Sequence, residues 1–476
     1  MALALVLVPL AFAAAAAAMP SQKWRPWLLP ACGTVHLALT ILALGRPDVA
    51  AIGGWLKLDD LGRLVLAVVS VLFFACSLYA PSYLALRTER SNRVFVPCLL
   101  VFLAMTSLIV ESQHLGLMWV AIEATTLACA PLLHFNHHAR SIEATWKYLL
   151  IGSVGVALAL LGTFFLAYAA LRAGLGSSLF FADLVREAPR LSRPWLHAAF
   201  VLLFVGYGTK MGLAPMHTWK PDAYGEAPGI VGTLLAGALT SCAFLALLRF
   251  FQIAAAGGEA EFARQLMISI GLFSMAVAGV FMARQRDYKR MLAYSSVEHM
   301  GILVLGIGIG GLGVFGSLLH LVNNAVTKGV MFLSAGNIHR AYGSKSTEDV
   351  RGALRRLPFS GALFLAGFFA VTGSPPFAPF LSEFTIVRAA MTQGHAVVGA
   401  LFLLMLAIVF IGMGGAVLAV VQGEPPEHEP EGFRDRLGTV APIALLMAIV
   451  VLLGVYVPPS VGALVSNAAA FVEGRR

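Results

Sequence analysis

Residues 206–228 read GYGTKMGLAPMHTWKPDAYGEAP, an apolar helix end that carries Lys210 and then meets Pro215, Pro221 and Pro228. Two further stretches set an ionisable residue inside an apolar run beside a helix-breaking pair or prolines: LLHLVNNAVTKGVMFL at 318–333 around Lys328, and VTGSPPFAPFLSEFTIV at 371–387 around Glu383. A charge at mid-bilayer costs about 2.5–3.5 kcal/mol on insertion scales, so chains keep one there mainly where ions or protons move. The three stretches point to transport across a membrane.

The surrounding sequence supports that setting. The 476 residues are 59% hydrophobic and 12% charged, with a mean hydropathy of +0.83; a soluble domain carries about 25% charged residues. Fourteen apolar runs lie near 1–18, 27–45, 64–86, 94–110, 115–134, 145–171, 196–216, 228–253, 265–283, 291–311, 313–335, 357–391, 397–422 and 440–458. Most reach the roughly 20 residues that span a hydrocarbon core as helix. Ten-residue alternating strands are absent, which disfavours a β-barrel. The expected fold is an all-α polytopic bundle of about 14 transmembrane helices.

The first run lacks a basic segment before it, since the first Lys or Arg is Lys23, so it is read as a helix and not a signal peptide. Loops after odd-numbered runs hold nineteen Lys and Arg, and the opposite side holds ten. That bias predicts odd loops in the cytoplasm, both termini outside, and residence in the inner (cytoplasmic) membrane. It also accounts for the net charge of +9 without nucleic acid. The five cysteines form no C-x-x-C pair and read as small core residues, so no zinc or iron–sulfur site is expected.

Both the 196–216 and 357–391 runs are interrupted by prolines beside an ionisable residue, and Lys210 and Glu383 stand 173 residues apart. Paired interrupted helices in corresponding places mark inverted transporter repeats, with simple proline kinks as the structural alternative. Glu123 is ninth in the run LGLMWVAIEATTLACAPLL (115–133), hence near mid-depth. Facing a buried lysine it forms either a proton gate or a structural ion pair. His299 in YSSVEHMG and His320 in LLHLVNN suit a proton relay near Lys328, or are packing histidines. Thr240, Ser241, Asn323, Asn324, Thr327, His217 and Asp222 are candidates for supporting polar groups that hold water between the ionisable sites. The glycines of GIGIGGLGVFG (306–316) lie between apolar runs and read as a tight turn, not a phosphate loop.

These residues carry a family resemblance. GTKMGLAPMHTWKPDAYGEAP, RQRDYKRMLAYSSVEHMG, VTKGVMFLSAGNI and GSPPFAPFLSEF resemble, in order and spacing, the antiporter-like membrane subunits of respiratory complex I and related enzymes. SSVEHMG and TGSPPF look nearest to the F-type subunit of hydrogenase 4, a membrane-bound nickel–iron (NiFe) hydrogenase complex. The resemblance implies two inverted five-helix repeats, each with a broken helix, and the divisions 1–92, 93–255, 262–422 and 423–476. The last holds the acidic loop and a fourteenth helix. It also implies a proton axis through Glu123, Lys210, Lys328, Glu383 and His299, to which His320 is added here.

Three departures thin that axis: Ser241 stands where M-type subunits have lysine, and Asn324 where many members have histidine. Lys220 replaces a usual apolar residue and is expected at the cytoplasmic surface. The short segment after the acidic loop QGEPPEHEPEGFRDRLG (422–438) leaves no room for a long lateral helix. No nucleotide loop, paired cysteines or dinucleotide fingerprint is present, so the chain has no active site or cofactor of its own. NiFe and iron–sulfur centres are expected only in peripheral redox partners, alongside other membrane subunits. The sequence thus reads as a proton-translocating subunit of a redox complex of the hydrogenase-4 kind. The alternatives are an M-type subunit of NADH–quinone oxidoreductase, a D-type subunit of a sodium/proton antiporter, and a non-pumping scaffold.

Overall fold

A computed structural model of the chain describes residues 1–176, 178–425 and 433–475. Much of the acidic loop, with His428, lies outside the described residues. Apolar runs form helices here because a helix satisfies its own backbone where no water is present. The first helices are α1 (Ala2–Ala18), α2 (Leu28–Leu44), α3 (Asp60–Ala85), α4 (Phe95–Glu111) and α5 (Leu115–Leu133). Between α2 and α3 sits a minimal antiparallel hairpin, β1 (Ala50–Ala51) with β2 (Leu56–Lys57), Ala50 opposite Lys57. Next come α6 (Ala139–Arg172), a short α7 (Phe181–Glu187) that no apolar run announced, α8 (Arg193–Met211), α9 (Trp219–Glu226) and α10 (Gly229–Thr233). A π-type turn at Leu234–Leu239 carries α10 into α11 (Thr240–Ala254).

The second half holds α12 (Ala260–Met282), α13 (Tyr288–Ile309), α14 (Leu312–Tyr342), α15 (Ala353–Arg356), α16 (Pro358–Val371), α17 (Ala378–Thr392) and α18 (Ala396–Val421). It closes with α19 (Leu437–Val455) and α20 (Pro459–Val472). Polar residues set several starts: Asp59 accepts from Gly62 N at 2.6 Å ahead of α3, and Asp287 accepts from Lys289 N at 2.9 Å ahead of α13. Both expected interruptions are present. α8 stops at Met211 and resumes as α9, and α16 stops at Val371 and resumes as α17. The glycine-rich stretch at 306–316 is the expected turn, Gly310 and Gly311 having φ of 83° and 50°.

Length and apolarity alone do not confirm the count of about fourteen spans. Among the described residues eight helical stretches are long and apolar enough on their own to cross a membrane. Others are short, split at prolines or joined end to end, as α10 to α12 are across Gly258. The sequence reading also missed α20, whose alanine-rich segment follows α19 after Pro458 and packs on α3 and α14.

α14 is the hub, buried along nearly its whole length and packed by α13, α16, α17, α19 and α10. α11 and α13 are equally enclosed, while α2, α6 and α18 form the rim. Leu150, Val154 and Phe164 on α6 and Val397, Leu404 and Ile411 on α18 point outward, the apolar coat that a lipid environment demands. Glycines allow the closest helix approaches. A Cβ on Gly206 (α8) would lie 2.6 Å from Ala159 N of α6, and one on Gly301 (α13) 2.6 Å from Gly271 O of α12.

Gly206→Leu and Gly301→Leu should each destabilise the bundle by about 1–3 kcal/mol or more through overpacking. Gly415→Leu on α18, with nothing within 4 Å of its Cβ position, should be silent. Thermal unfolding of the detergent-purified protein and its abundance in membranes check all three.

Candidate functional site: a chain of buried lysines, hydroxyls and imidazoles

The first cluster is built by α5, α6 and α8. Lys210, one residue from the end of α8, is wholly buried, and its Nζ donates to Thr126 Oγ1 at 2.6 Å and to Tyr148 OH at 3.1 Å. The Tyr148 ring also faces the ammonium, 4.6 Å from centroid to Nζ. Thr126 is three residues, hence one helical turn, after Glu123, and its hydroxyl reaches Glu123 Oε2 at 3.2 Å. Ser153 on α6 donates to Glu123 Oε1 at 3.3 Å. Glu123 and Lys210 are thus linked through Thr126, with no direct ion pair between them among the described residues. Glu123 is also half-exposed on the outer face of the bundle, where its run of apolar neighbours predicted a buried carboxylate.

The second cluster is built by α13, α14 and α17. Lys328 is wholly buried and donates to Ser295 Oγ at 2.6 Å, with Glu298 as its nearby counter-charge. Ser382 donates to Pro379 O at 2.9 Å, so its oxygen accepts from His320 Nδ1 at 3.0 Å. That leaves His320 Nε2 as acceptor for His299 Nδ1 at 2.8 Å, the two rings lying 24° from parallel. Glu383 Oε1 and His299 Nε2 are buried without hydrogen-bond partners among the described residues. One ligand-type atom from each of His299, His320 and Glu383 lies within 4.8 Å of the others, a donor set that could hold a metal ion. Their facing imidazole nitrogens, however, are bonded to each other, which is the arrangement of a proton wire.

The supporting residues divide. Asn323 Nδ2 donates to Ala378 O, in the first turn of α17, at 2.8 Å and so braces the second break, and Asn324 is buried beside Lys328 on α14 with Oδ1 unpartnered. Thr240 and Ser241 spend their hydroxyls on their own helix, at Ala236 O (2.7 Å) and Gly237 O (2.6 Å), and do not reach the lysines. Thr327 likewise bonds Asn323 O at 2.7 Å. Asp222 joins Lys147 at 2.8 Å and Arg290, on the wall of a polar vestibule of about 1140 Å³, away from both clusters. His217 lies in the first break, buried near Phe281 and Tyr294, its Nδ1 unpartnered.

Lys220 is the clearest correction. Expected at a surface, it is fully buried and donates to Ser296 Oγ at 3.0 Å. Its polar neighbourhood in the sequence, between His217 and Asp222, suggested a loop; the chain instead folds back inward as α9. Sequence reasoning also passed over Glu298, a carboxylate inside the apolar run of α13 beside His299, although that signal is the one that singled out Glu123. Thr126, Tyr148, Ser295 and Ser382 carried no signal, because hydroxyls in membrane helices are common.

A family model described as NADH:quinone oxidoreductase/Mrp antiporter, TM, matches residues 112–411. The chain is similar to a hydrogenase-4 component F homolog of Methylacidiphilum infernorum, 31% identical over 93% of both chains. It is similar also to NADH-quinone oxidoreductase subunit N of Desulforudis audaxviator, 32% identical over 76% of this chain and 73% of that one. In fold the chain resembles a chain of the membrane-bound sulfane sulfur reductase, an archaeal respiratory membrane complex. The TM-score is 0.89 at 22% identity, covering 99% of this chain and 97% of that one.

Thr126→Val should uncouple Glu123 from Lys210 and lower ion translocation in membrane vesicles about tenfold, while Thr126→Ser should retain it. Equal activity of the two variants would show that the Thr126 bridge is not used.

Proposed function

The chain belongs to the NADH:quinone oxidoreductase/Mrp antiporter transmembrane family, and from that membership we propose that it translocates protons as a membrane subunit of a multisubunit redox complex of the hydrogenase-4 kind. The observation that carries the reading is the state of Lys210 and Lys328. Each is wholly buried, ligated by hydroxyls, and separated from its carboxylate by a bridging group or a short gap. A structural ion pair closes onto its counter-ion to offset the loss of water. A lysine held apart from its acid responds instead to each proton gained or lost nearby, since removing the ammonium proton leaves the acid without a counter-charge. Thr126 can hand a proton between Lys210 and Glu123, and His299 and His320 can do so beside Glu383.

On this reading the two broken helices head two inverted units, 93–255 and 262–422. The face bearing the vestibule is cytoplasmic: Arg87, Arg90, Arg140, Arg286, Arg290 and Arg340 gather there from loops and helix ends. Both termini then lie outside an inner membrane. The half-exposed Glu123, flanked by outward-facing Val120 and Leu127, is the place for a neighbouring membrane subunit, because a carboxylate facing lipid would be costly. NiFe and iron–sulfur chemistry belongs to peripheral partners. The preference for a hydrogenase over an NADH–quinone oxidoreductase rests on the fuller alignment with the component F homolog.

In inverted vesicles carrying the whole complex, Lys210→Ala and Lys328→Ala should each cut substrate-driven acidification about tenfold or more, with the complex still assembled by immunoblot. A scaffold would keep full coupled activity in both variants. Acidification that requires sodium would move the chain to the antiporter reading.

A further inference from the structure

Lys220 is a wholly buried lysine that the relay above leaves unused. It stands two residues into α9, just past the first break, and its side chain crosses Gly212, whose φ is 82°. A Cβ on that glycine would overlap Lys220 Cε, so the break is shaped around the lysine. The second break repeats the arrangement with the opposite charge: Gly373 has φ of 67°, and a Cβ there would overlap the Glu383 carboxylate. Lys220 therefore holds, in the first broken helix, the place that Glu383 holds in the second.

Its contacts lead from one cluster to the other. Lys220 Nζ donates to Ser296 Oγ at 3.0 Å, and the adjacent residue, Ser295, accepts from Lys328 Nζ at 2.6 Å. Lys220 is near enough to Lys328 and His299 to feel their charge. Toward the first cluster, the Tyr224 ring lies 5.6 Å from Lys220 Nζ and, between centroids, 5.9 Å from Trp219, whose ring is 5.2 Å from that of Tyr148. Tyr148 in turn bonds Lys210.

Buried cations that merely hold this fold are ligated differently. Arg249 pairs with Asp59 at 2.8 Å, and Arg63 donates to four backbone carbonyls, among them Pro47 O at 2.7 Å. Lys220 has a single hydroxyl as hydrogen-bond partner and no carboxylate within ion-pair distance among the described residues. A permanent charge so poorly ligated would be expensive. An amine that alternates between charged and neutral would not.

We propose that Lys220 is the proton carrier joining the two clusters, the link between Lys210 on one side and Lys328 on the other. In the transfer step an N–H bond of the Lys220 ammonium breaks and Ser296 Oγ accepts that proton while releasing its own. Ser295 Oγ, on the adjacent residue, takes the released proton and gives up its own to the neutral amine of Lys328, the group it faces. Lys220, now neutral, takes the next proton from the Tyr148–Lys210 side. Mutual repulsion of the two lysines keeps both from staying charged at once, which gives the step its direction once Lys328 has discharged toward Glu298, His299 and Glu383.

The inference rests on the proton-translocating reading, and the test separates the two. Lys220→Met, Lys220→Arg and Ser296→Ala are assayed in the same inverted vesicles beside Lys210→Ala and Lys328→Ala. Arginine keeps the charge and can donate to Ser296, but its guanidinium does not give up a proton in a protein. Lys220→Met and Lys220→Arg should both cut acidification about tenfold or more with the complex assembled, and Ser296→Ala should lower it severalfold. Normal acidification in Lys220→Arg, with Lys210→Ala and Lys328→Ala inactive, would make Lys220 a structural cation and overturn the inference alone. Normal acidification in every variant would overturn the translocation reading as well. Should Lys220→Met fail to accumulate, Lys220→Arg and Ser296→Ala decide the matter.

Discussion

An ammonium group placed in an apolar bundle must find oxygen atoms, and this need organises the interior of the molecule. Lys210, Lys220 and Lys328 are each wholly buried, and each is ligated by side-chain hydroxyls carried on a neighbouring helix. Hydroxyls are weak enough ligands to let a proton leave and strong enough to keep the charged form inside. The interruptions in α8–α9 and α16–α17 follow from the same need. They turn chain direction at depth, bring Lys220 and Glu383 inward across glycines, and leave backbone groups at the first break that Trp219 and Ser274 satisfy.

The two clusters are not equally furnished. The first is spare: one hydroxyl bridge joins its acid to its lysine, and the acid opens on the outer face between α5 and α6. The second is dense and enclosed, with Glu298, Ser295, two stacked imidazoles, Ser382 and Glu383 around the hub helix α14. An open acid at one end and an enclosed relay at the other suit a subunit that receives its signal from a lateral neighbour and completes the transfer within itself. The rim helices α6 and α18, apolar on their outer faces, are free to meet lipid or further membrane subunits.

Much of this was legible before the fold was known. Apolar runs marked most helices, prolines beside charges marked both breaks, and the search for charges in apolar surroundings found Lys210, Lys328 and Glu383. The same rule, applied evenly, would have found Glu298. It could not have found Lys220, because that lysine sits among Trp219, Pro221 and Asp222, a composition that reads as an exposed loop. Nor could it have ranked Thr126 above Thr125, or Ser295 and Ser382 above Ser241, since these differ only in what lies opposite them.

By itself, then, the sequence determined the membrane setting, the helical class, the positions of the breaks and the identity of most buried charges. The reason is that burial of charge and loss of backbone hydrogen bonds are local costs, visible in residue order. Tertiary structure alone decided which charges communicate. Thr126 meets Lys210 from 84 residues away and Ser296 meets Lys220 from 76, and only helix packing brings those oxygens to those nitrogens. The exposure of Glu123 and the inward turn of Lys220 were decided at the same level. Each depends on which face of a helix the rest of the bundle happens to cover.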